Sequence, residues 1–301
     1  MTARTRSPYS TRTRGAGGDT CSTAPRGPGL ARELQERAAR ALPVTSLVRL
    51  GGWWLRHGDG SAWWASSVLP HGDVGVLPHG DVGVLPRGEA GVLPDADAGP
   101  AELPGRIRLA EEFYSVRAAP ARFQITPGAC PADLDAILAG RGYRVESPMS
   151  LQSAPAAEVV ARLPPGESRL RLDDRPTDAW FAAWLAVHGG GADAGADRDL
   201  LSRVDRPAAY VSALDGDEVV AVGRAVHETG WAGIFGMATL PYARGRGAAR
   251  QVLAALARWA ARHGAGQLYL QVEPGNTAAR RLYERSGFTE LCRYHYRTAA
   301  S

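Results

Sequence analysis

The sequence predicts a mixed α/β protein built from two similar halves. Strand and helix patterns alternate along most of the chain, and 301 residues are enough to form two cores. The two halves also align with each other: FQITPG at 123–128 lies opposite LQVEPG at 270–275. After a two-residue insertion, the same alignment brings Gly142-Tyr143 opposite Gly287-Phe288. We interpret this similarity as an internal duplication.

The first domain is predicted over residues 30–163, after a tail at 1–29 that is rich in Arg, Ser, Thr and Gly and that we expect to be disordered. An octapeptide is repeated four times across 68–99, and its recurring proline favours a surface loop. Because each unit has few large apolar side chains, we expect this loop to be dispensable. The remaining patterns predict a helix at 30–42, a hairpin at 51–70, helices at 106–118 and 131–143, and strands at 121–127 and 144–153.

The second domain is predicted over residues 164–301, because Pro164-Pro165-Gly166 is typical of a linker. We expect this domain to bind its ligand by itself. Its patterns predict helices at 177–188, 197–204, 248–263 and 277–285, and strands at 168–172, 209–214, 218–227, 231–240, 267–273 and 289–297.

Composition excludes several function classes. The chain has a net charge of +4, and all 35 of its basic residues are arginine, so lysine-based Schiff bases and phosphate loops are absent. A net charge this small does not indicate a concentrated basic surface, so we expect no nucleic-acid partner. Three widely spaced cysteines indicate neither a metal site nor a disulfide framework and fit a cytoplasmic protein. No apolar run reaches the ~18 residues of a membrane span, so we expect no membrane partner.

A loop that leads from a strand into a helix is the first candidate site. The segment MATLPYARGRGAAR places glycines and arginines where a helix begins, and the free N–H groups of a first helical turn bind anions. Arginine side chains would add charge for a pyrophosphate. A surface loop with solvated arginines is the alternative. The candidate residues are Arg244, Gly245, Arg246, Gly247, Ala248 and Ala249.

The end of the next strand is the second candidate site. Glu273 ends the strand, Pro274-Gly275 breaks it, and Asn276 lies where a helix N-cap is expected. Asn276 is the single asparagine of the chain, which favours a specific hydrogen-bonding role, although capping alone would also explain it. Tyr283 lies in the helix that follows, either as a functional phenol or as a core aromatic.

Together the two sites resemble the GNAT superfamily of acetyl-CoA-dependent N-acetyltransferases. Residues 244–249 match the R/Q-x-x-G-x-G/A loop of that family, and N-x-x-A-x-x-L-Y-x-x-x-G-F follows at 276–288. The resemblance implies two GNAT-like domains, each with a twisted, mostly antiparallel sheet flanked by helices. It also implies acetyl-CoA in a V-shaped strand split of the second domain. Its pantetheine would pair with the backbone of Met237, Ala238 and Thr239, and Asn276 would help to hold it.

The first domain departs from this pattern, because Leu138 takes the place of Tyr283 and no Arg/Gly loop precedes its strand. We therefore interpret it as a degenerate GNAT-like domain that supports the substrate site.

The resemblance implies direct transfer of the acetyl group from acetyl-CoA to an amine. Because a weak base favours an amine of low pKa, we expect a primary amine of a small molecule or a peptide N-terminus as the acceptor. Tyr283 would protonate the leaving thiolate. The base is less defined: Gln271 stands where similar enzymes have glutamate, so we predict Glu273, with Glu228 and His227 as alternatives. A non-catalytic acyl-CoA-binding module and a mycothiol-synthase-like enzyme remain competing interpretations, and the oligomeric state is open.

Overall fold

The structure is a computed structural model that describes residues 27–60, 63–71, 103–166, 168–189 and 193–299. The described strands are β1 Ser46–Leu50, β2 Trp53–His57, β3 Ser67–Pro70, β4 Arg122–Ile125, β5 Arg144–Pro155, β6 Arg169–Asp173, β7 Ala208–Asp215, β8 Glu218–Glu228, β9 Trp231–Thr239, β10 Gln267–Val272 and β11 Thr289–Thr298. The described helices are α1 Pro28–Arg40, α2 Leu103–Ser115, α3 Leu134–Gly140, α4 Ala156–Arg162, α5 Asp178–His188, α6 Ala194–Ser202, α7 Ala248–Arg262 and α8 Thr277–Arg285.

All of these strands belong to a single sheet in the order β1-β2-β3-β4-β11-β5-β10-β9-β8-β7-β6. Neighbouring strands are antiparallel except for the β3–β4 and β9–β10 pairs. This mostly antiparallel sheet with its helices confirms the predicted α/β class. The two predicted sheets are continuous with each other. Within the described ranges, no helix is long and apolar enough to cross a membrane.

The helices cover both faces of the sheet. On β8, Gly223 faces α7, because an added Cβ would lie 2.9 Å from Val252 and 3.1 Å from Leu256. Val222 points to the opposite face and packs with Trp180 of α5. This alternation is the two-residue period of a strand, and it gives each half of the sheet a core on either side.

The structure differs from the sequence predictions at several elements. Helix α1 begins at Pro28, so the last two residues of the predicted tail belong to the fold, whereas residues 1–26 lie outside the described residues. The octapeptide segment starts inside the core, because Val68 and Leu69 are buried in β3 and His71 is fully buried. The rest of the repeat, 72–99, lies outside the described residues. Helix α4 is an element that the sequence patterns did not predict.

The two halves exchange strands. Strand β5 belongs to the first half by sequence but lies between β10 and β11, the last two strands of the chain. Strand β11 in turn lies between β5 and β4, so it completes the sheet of the first half.

The register of this exchange follows the alignment of the two halves. Gln271 pairs with Leu151, and its counterpart Gln124 pairs with Tyr296. Leu151 and Tyr296 each lie eight residues after the aligned pair Tyr143 and Phe288. The exchanged strands are therefore related by an approximate twofold symmetry.

The exchange bears on the expectation that residues 164–301 bind a ligand by themselves. This segment lacks β5, which forms ladders with both β10 and β11. Without it, the N–H and C=O groups along one edge of β10 and one edge of β11 are left unpaired, which favours aggregation.

We therefore predict that residues 164–301 expressed alone are insoluble or fail to unfold cooperatively. Co-expression with residues 1–163 restores a soluble complex, because β5 and β11 then pair between the two pieces. Solubility, size-exclusion chromatography and thermal unfolding measure both results. A soluble 164–301 fragment with a cooperative transition contradicts the strand exchange.

Candidate active site

A split in the sheet forms the centre of the site. Parallel strands β9 and β10 pair from Trp231–Gln267 as far as Ile234–Leu270, and no pair follows. Beyond this point β9 continues along β8 to Thr239. The two strands therefore diverge at their C-terminal ends, as the predicted V-shaped split requires.

A β-bulge in β9 accompanies the divergence. The β8–β9 register shifts between Val222 and Arg224, and Gly236 on the opposite strand has φ +59°. A side chain at Gly236 would be strained, and its Cβ would lie 3.2 Å from the indole Nε1 of Trp184. Glycine thus permits both the backbone conformation and the close packing of α5 over the split.

The backbone of Thr239 is oriented toward the split. Leu240 N donates to Val220 O at 2.9 Å, which makes the Thr239–Ala221 pair a non-hydrogen-bonded one. The backbone N–H and C=O of Thr239 therefore point away from β8. Arg244 Nε donates to Thr239 O at 3.2 Å and ties the following loop to this strand end.

The loop after β9 presents an open helix N-terminus. Gly247 is the N-cap of α7 with φ +85° and no side-chain cap, and Gly245 has φ +78°. No atom lies within 4 Å of a Cβ built at either glycine. Because the first helical bond is Gln251 N to Gly247 O, the N–H groups of the first turn are left for an anion.

Arginine side chains surround this N-terminus. Arg244 and Arg246 are exposed, and Arg246 lies 3.3 Å from an Asp215 carboxylate oxygen. Exposed ion pairs of this kind contribute little, so Arg246 can exchange its partner for a phosphate at small cost. Ala248 is buried beneath the loop and Ala249 is half-buried, which anchors the start of the helix.

Asn276 caps helix α8. Its Oδ1 accepts a hydrogen bond from Ala279 N at 3.1 Å, and the residue is exposed. Capping is therefore an observed role of the single asparagine, and its assignment to cofactor binding stays a prediction.

Tyr283 lies within α8 and is buried against the core, with its ring 5.8 Å from that of Phe288. Burial raises the pKa of Tyr283 to about 12. The phenol therefore keeps its proton throughout the neutral range.

The candidate bases lie at different ends of the sheet. Glu273 is exposed directly after β10, at the open end of the split. Glu228 lies at the opposite end of the strands and is paired with Arg40 at 2.9 Å and Arg206 at 3.3 Å. His227 is next to Glu228, so neither alternative reaches the split.

His188 is a site residue that the sequence patterns did not reveal. It ends α5, its ring lies 5.4 Å from that of Trp184, and it hydrogen-bonds to the backbone of Met237. Desolvation lowers the pKa of His188, against the opposing effects of this bond and of the Glu273 carboxylate. A lone histidine at the end of an apolar helix was the one available signal.

The first half repeats the split and fills it. Strands β3 and β4 pair at Val68–Phe123, the counterpart of Ile234–Leu270, and then diverge. In this opening Gln35 Oε1 of α1 accepts from Thr126 Oγ1 at 2.8 Å and lies 3.1 Å from His71 Nε2. Helix α1 thus occupies the space that the second half leaves open.

Within the described ranges, no three His, Cys, Asp or Glu side chains form a group that could hold a metal ion.

Comparisons with known proteins agree with this geometry. Residues 172–288 match the model of the acetyltransferase (GNAT) family. The chain is 24% identical over 274 residues to the uncharacterized N-acetyltransferase YobR of Bacillus subtilis (strain 168), covering 88% of this chain and 97% of that protein.

Solved structures extend the likeness in fold to most of the chain. A GCN5-related N-acetyltransferase from Kribbella flavida aligns with a TM-score of 0.65 at 16% identity, covering 92% of this chain and 97% of that one. A tandem GNAT protein from the clavulanic acid biosynthesis pathway aligns with a TM-score of 0.52 at 16% identity, covering 65% and 69%. The second half of the chain thus contains a domain of the acetyltransferase (GNAT) family, and the protein is an acyltransferase.

Proposed function

We propose that the protein transfers the acetyl group of acetyl-CoA to a primary amine. The observation that carries the proposal is the junction of the β9–β10 split with the uncapped N-terminus of α7. The first-turn amides, with Arg244 and Arg246, would hold the pyrophosphate. Pantetheine would lie along the strand segment Met237, Ala238 and Thr239 and would pair with the backbone of Thr239, because the backbone groups of Ala238 face β8. The open space at Gly245 and Gly247 fits a phosphate that approaches the backbone closely.

Acetyl-CoA supplies the acetyl group as a thioester, so an amide C–N bond replaces the C–S bond and a thiol leaves. Tyr283 is the proposed donor of the thiol proton, because its phenol remains protonated at neutral pH. Glu273 is the proposed base for the amine, directly or through one water. His188 would share this role, since its lowered pKa favours the neutral imidazole.

Amine acidity supports a small-molecule amine or a peptide N-terminus as the acceptor. An α-amine with a pKa of about 7.8 is ~14% neutral at pH 7, whereas a lysine amine near 10.4 is ~0.04% neutral. The difference corresponds to roughly 3.5 kcal/mol. An exposed carboxylate or a neutral imidazole is a weak base and is better matched to the α-amine.

Gly247→Asp should weaken acetyl-CoA binding at least tenfold, because it places a carboxylate at the helix N-terminus that would hold the pyrophosphate. Gly264→Asp is the matched control: Gly264 has φ +86° and the same open space, at the other end of α7. Calorimetry measures both affinities. Equal affinities for the two variants would remove the cofactor assignment.

Tyr283→Phe should lower kcat at least tenfold and leave acetyl-CoA affinity unchanged, since only a proton donor is deleted. Tyr294→Phe, a buried tyrosine of β11, serves as the control and should retain kcat. Steady-state kinetics and calorimetry provide the two readouts. Unchanged turnover in Tyr283→Phe would mean that another group protonates the thiolate.

The pH dependence of kcat distinguishes the two bases. If Glu273 accepts the proton, Glu273→Gln lowers kcat at every pH. If His188 accepts it, kcat rises with pH through the lowered pKa of His188. Glu273→Gln then moves this limb to lower pH, because the carboxylate that raises the pKa of His188 is gone. His188→Asn abolishes the limb in the second case only.

A further inference from the structure

A short turn of the first half lies over the split of the second half. The 3-10 turn Trp63–Ala65 connects β2 to β3. Its Trp64 ring lies edge-to-face against Trp184 of α5, with centroids 6.2 Å apart and an interplanar angle of 83°. Trp184 in turn packs on Gly236 in the bulge of β9. The turn is thus placed on the α5 side of the split, the side on which His188 lies.

The loop that carries this turn is fixed by the second half. Asp193 N, at the start of α6, donates to Gly60 O at 3.0 Å. A Cβ at Gly60, whose φ is +67°, would lie 3.2 Å from the Asp193 Cβ. This close backbone approach fixes Gly60 against the start of α6, while the Trp64–Trp184 contact ties the turn to α5.

Trp63 is held in place but remains open to solvent. Its ring lies edge-to-face against Tyr296 at 5.2 Å, and the Arg122 guanidinium lies 5.6 Å from its centre. Trp63 nevertheless keeps 39% of its surface exposed. Among the aromatic residues of the described ranges, only Tyr242 has a larger exposed fraction. An indole fixed at two sides offers its remaining surface to a ligand at little entropic cost.

The charges near the split complement an amine that carries a ring. The exposed Glu273 carboxylate acts on His188, which touches the backbone of Met237. From His188, ring contacts run through the buried Trp184 to the partly exposed Trp64, next to the exposed Trp63. A carboxylate at one end and indoles at the other suit an ammonium group with an aromatic body.

We propose that Trp63 and Trp64 of the first half form a wall of the acceptor site and select α-amines that bear an aromatic side chain. This inference rests on the proposed function for the reaction but concerns binding. It also gives the first half a role in the site: it supplies the surface that recognises the acceptor, on a chain segment outside the 172–288 match to the family model.

Two amides that differ by one ring test the proposal. L-phenylalaninamide and L-alaninamide share the α-amine and the uncharged carboxamide, so the affinity ratio reports the ring alone. Calorimetry on the full-length protein saturated with coenzyme A should give at least tenfold tighter binding of the phenylalanine amide. Trp63→Ala should reduce this ratio below threefold, and Trp63→Phe should keep most of it. Val116→Ala, an exposed apolar residue of the same half, is the control and should keep the full ratio.

Acetylation of the same two amides, followed by mass spectrometry, separates the inference from the proposed function. A ring preference that Trp63→Ala removes supports the acceptor wall, whether or not product forms. If the ring preference is present but no product forms, the binding inference is supported and the proposed transfer to this class of amine is refuted. Equal affinities for the two amides in the wild type, no binding of either, or an unchanged ratio in Trp63→Ala would overturn the proposal.

Discussion

Beyond Leu270, strand β10 has a single neighbour in the sheet. Its last two residues, Gln271 and Val272, have lost β9 and pair with Leu151 and Ser150 of β5. One wall of the split is therefore held by a strand that the first half of the chain contributes. Because β11 completes the first half in the same way, neither half of the sheet is complete without a strand from the other. The shape of the active site thus depends on the exchange of β5 and β11.

Helix α1 closes the same assembly from the face opposite α7. Arg224 of β8 donates to Ala41 O at 2.9 Å, and Arg56 of β2 donates to Leu42 O at 3.2 Å. Both guanidinium groups are buried, and both meet carbonyls at the C-terminal end of α1, where the helix dipole favours positive charge. Each half of the sheet therefore supplies one arginine to a common helix end. The consequence is that α1 is fixed over the central strands, with Leu34 packed beside Leu151 and the tyrosines of β11.

The sequence predicted most elements because hydrophobic periodicity and turn residues are local signals. It could not predict the exchange of strands, since a pattern such as that of β5 is equally compatible with either half of the sheet. The loop at 244–249 and Tyr283 were found through a motif, whereas His188 and Trp63 lie in segments without one. His71 shows the opposite error: its octapeptide context indicated a loop, but its burial beside Gln35 and Glu36 is a long-range contact.

The first-half split is filled and the second-half split is open, which explains why only the second half has the Arg/Gly loop at 244–249. In the first half, Thr126 Oγ1 and His71 Nε2 both hydrogen-bond to Gln35 Oε1 inside the opening, and removal of α1 would leave these buried polar groups without this partner. Hydrogen bonds from His71 and Arg32 also hold the pKa of Glu36 below its usual range against the opposing effect of burial, so the carboxylate stays charged beside this opening. A coenzyme in this first-half opening would have to displace both the hydrogen-bonded side chains and the charged Glu36. The connection from β3 to α2 is the counterpart of the loop at 240–247, and with the opening filled we expect it to bind no phosphate. The octapeptide repeat lies in this connection of the sequence, where no cofactor contact would then constrain the residues.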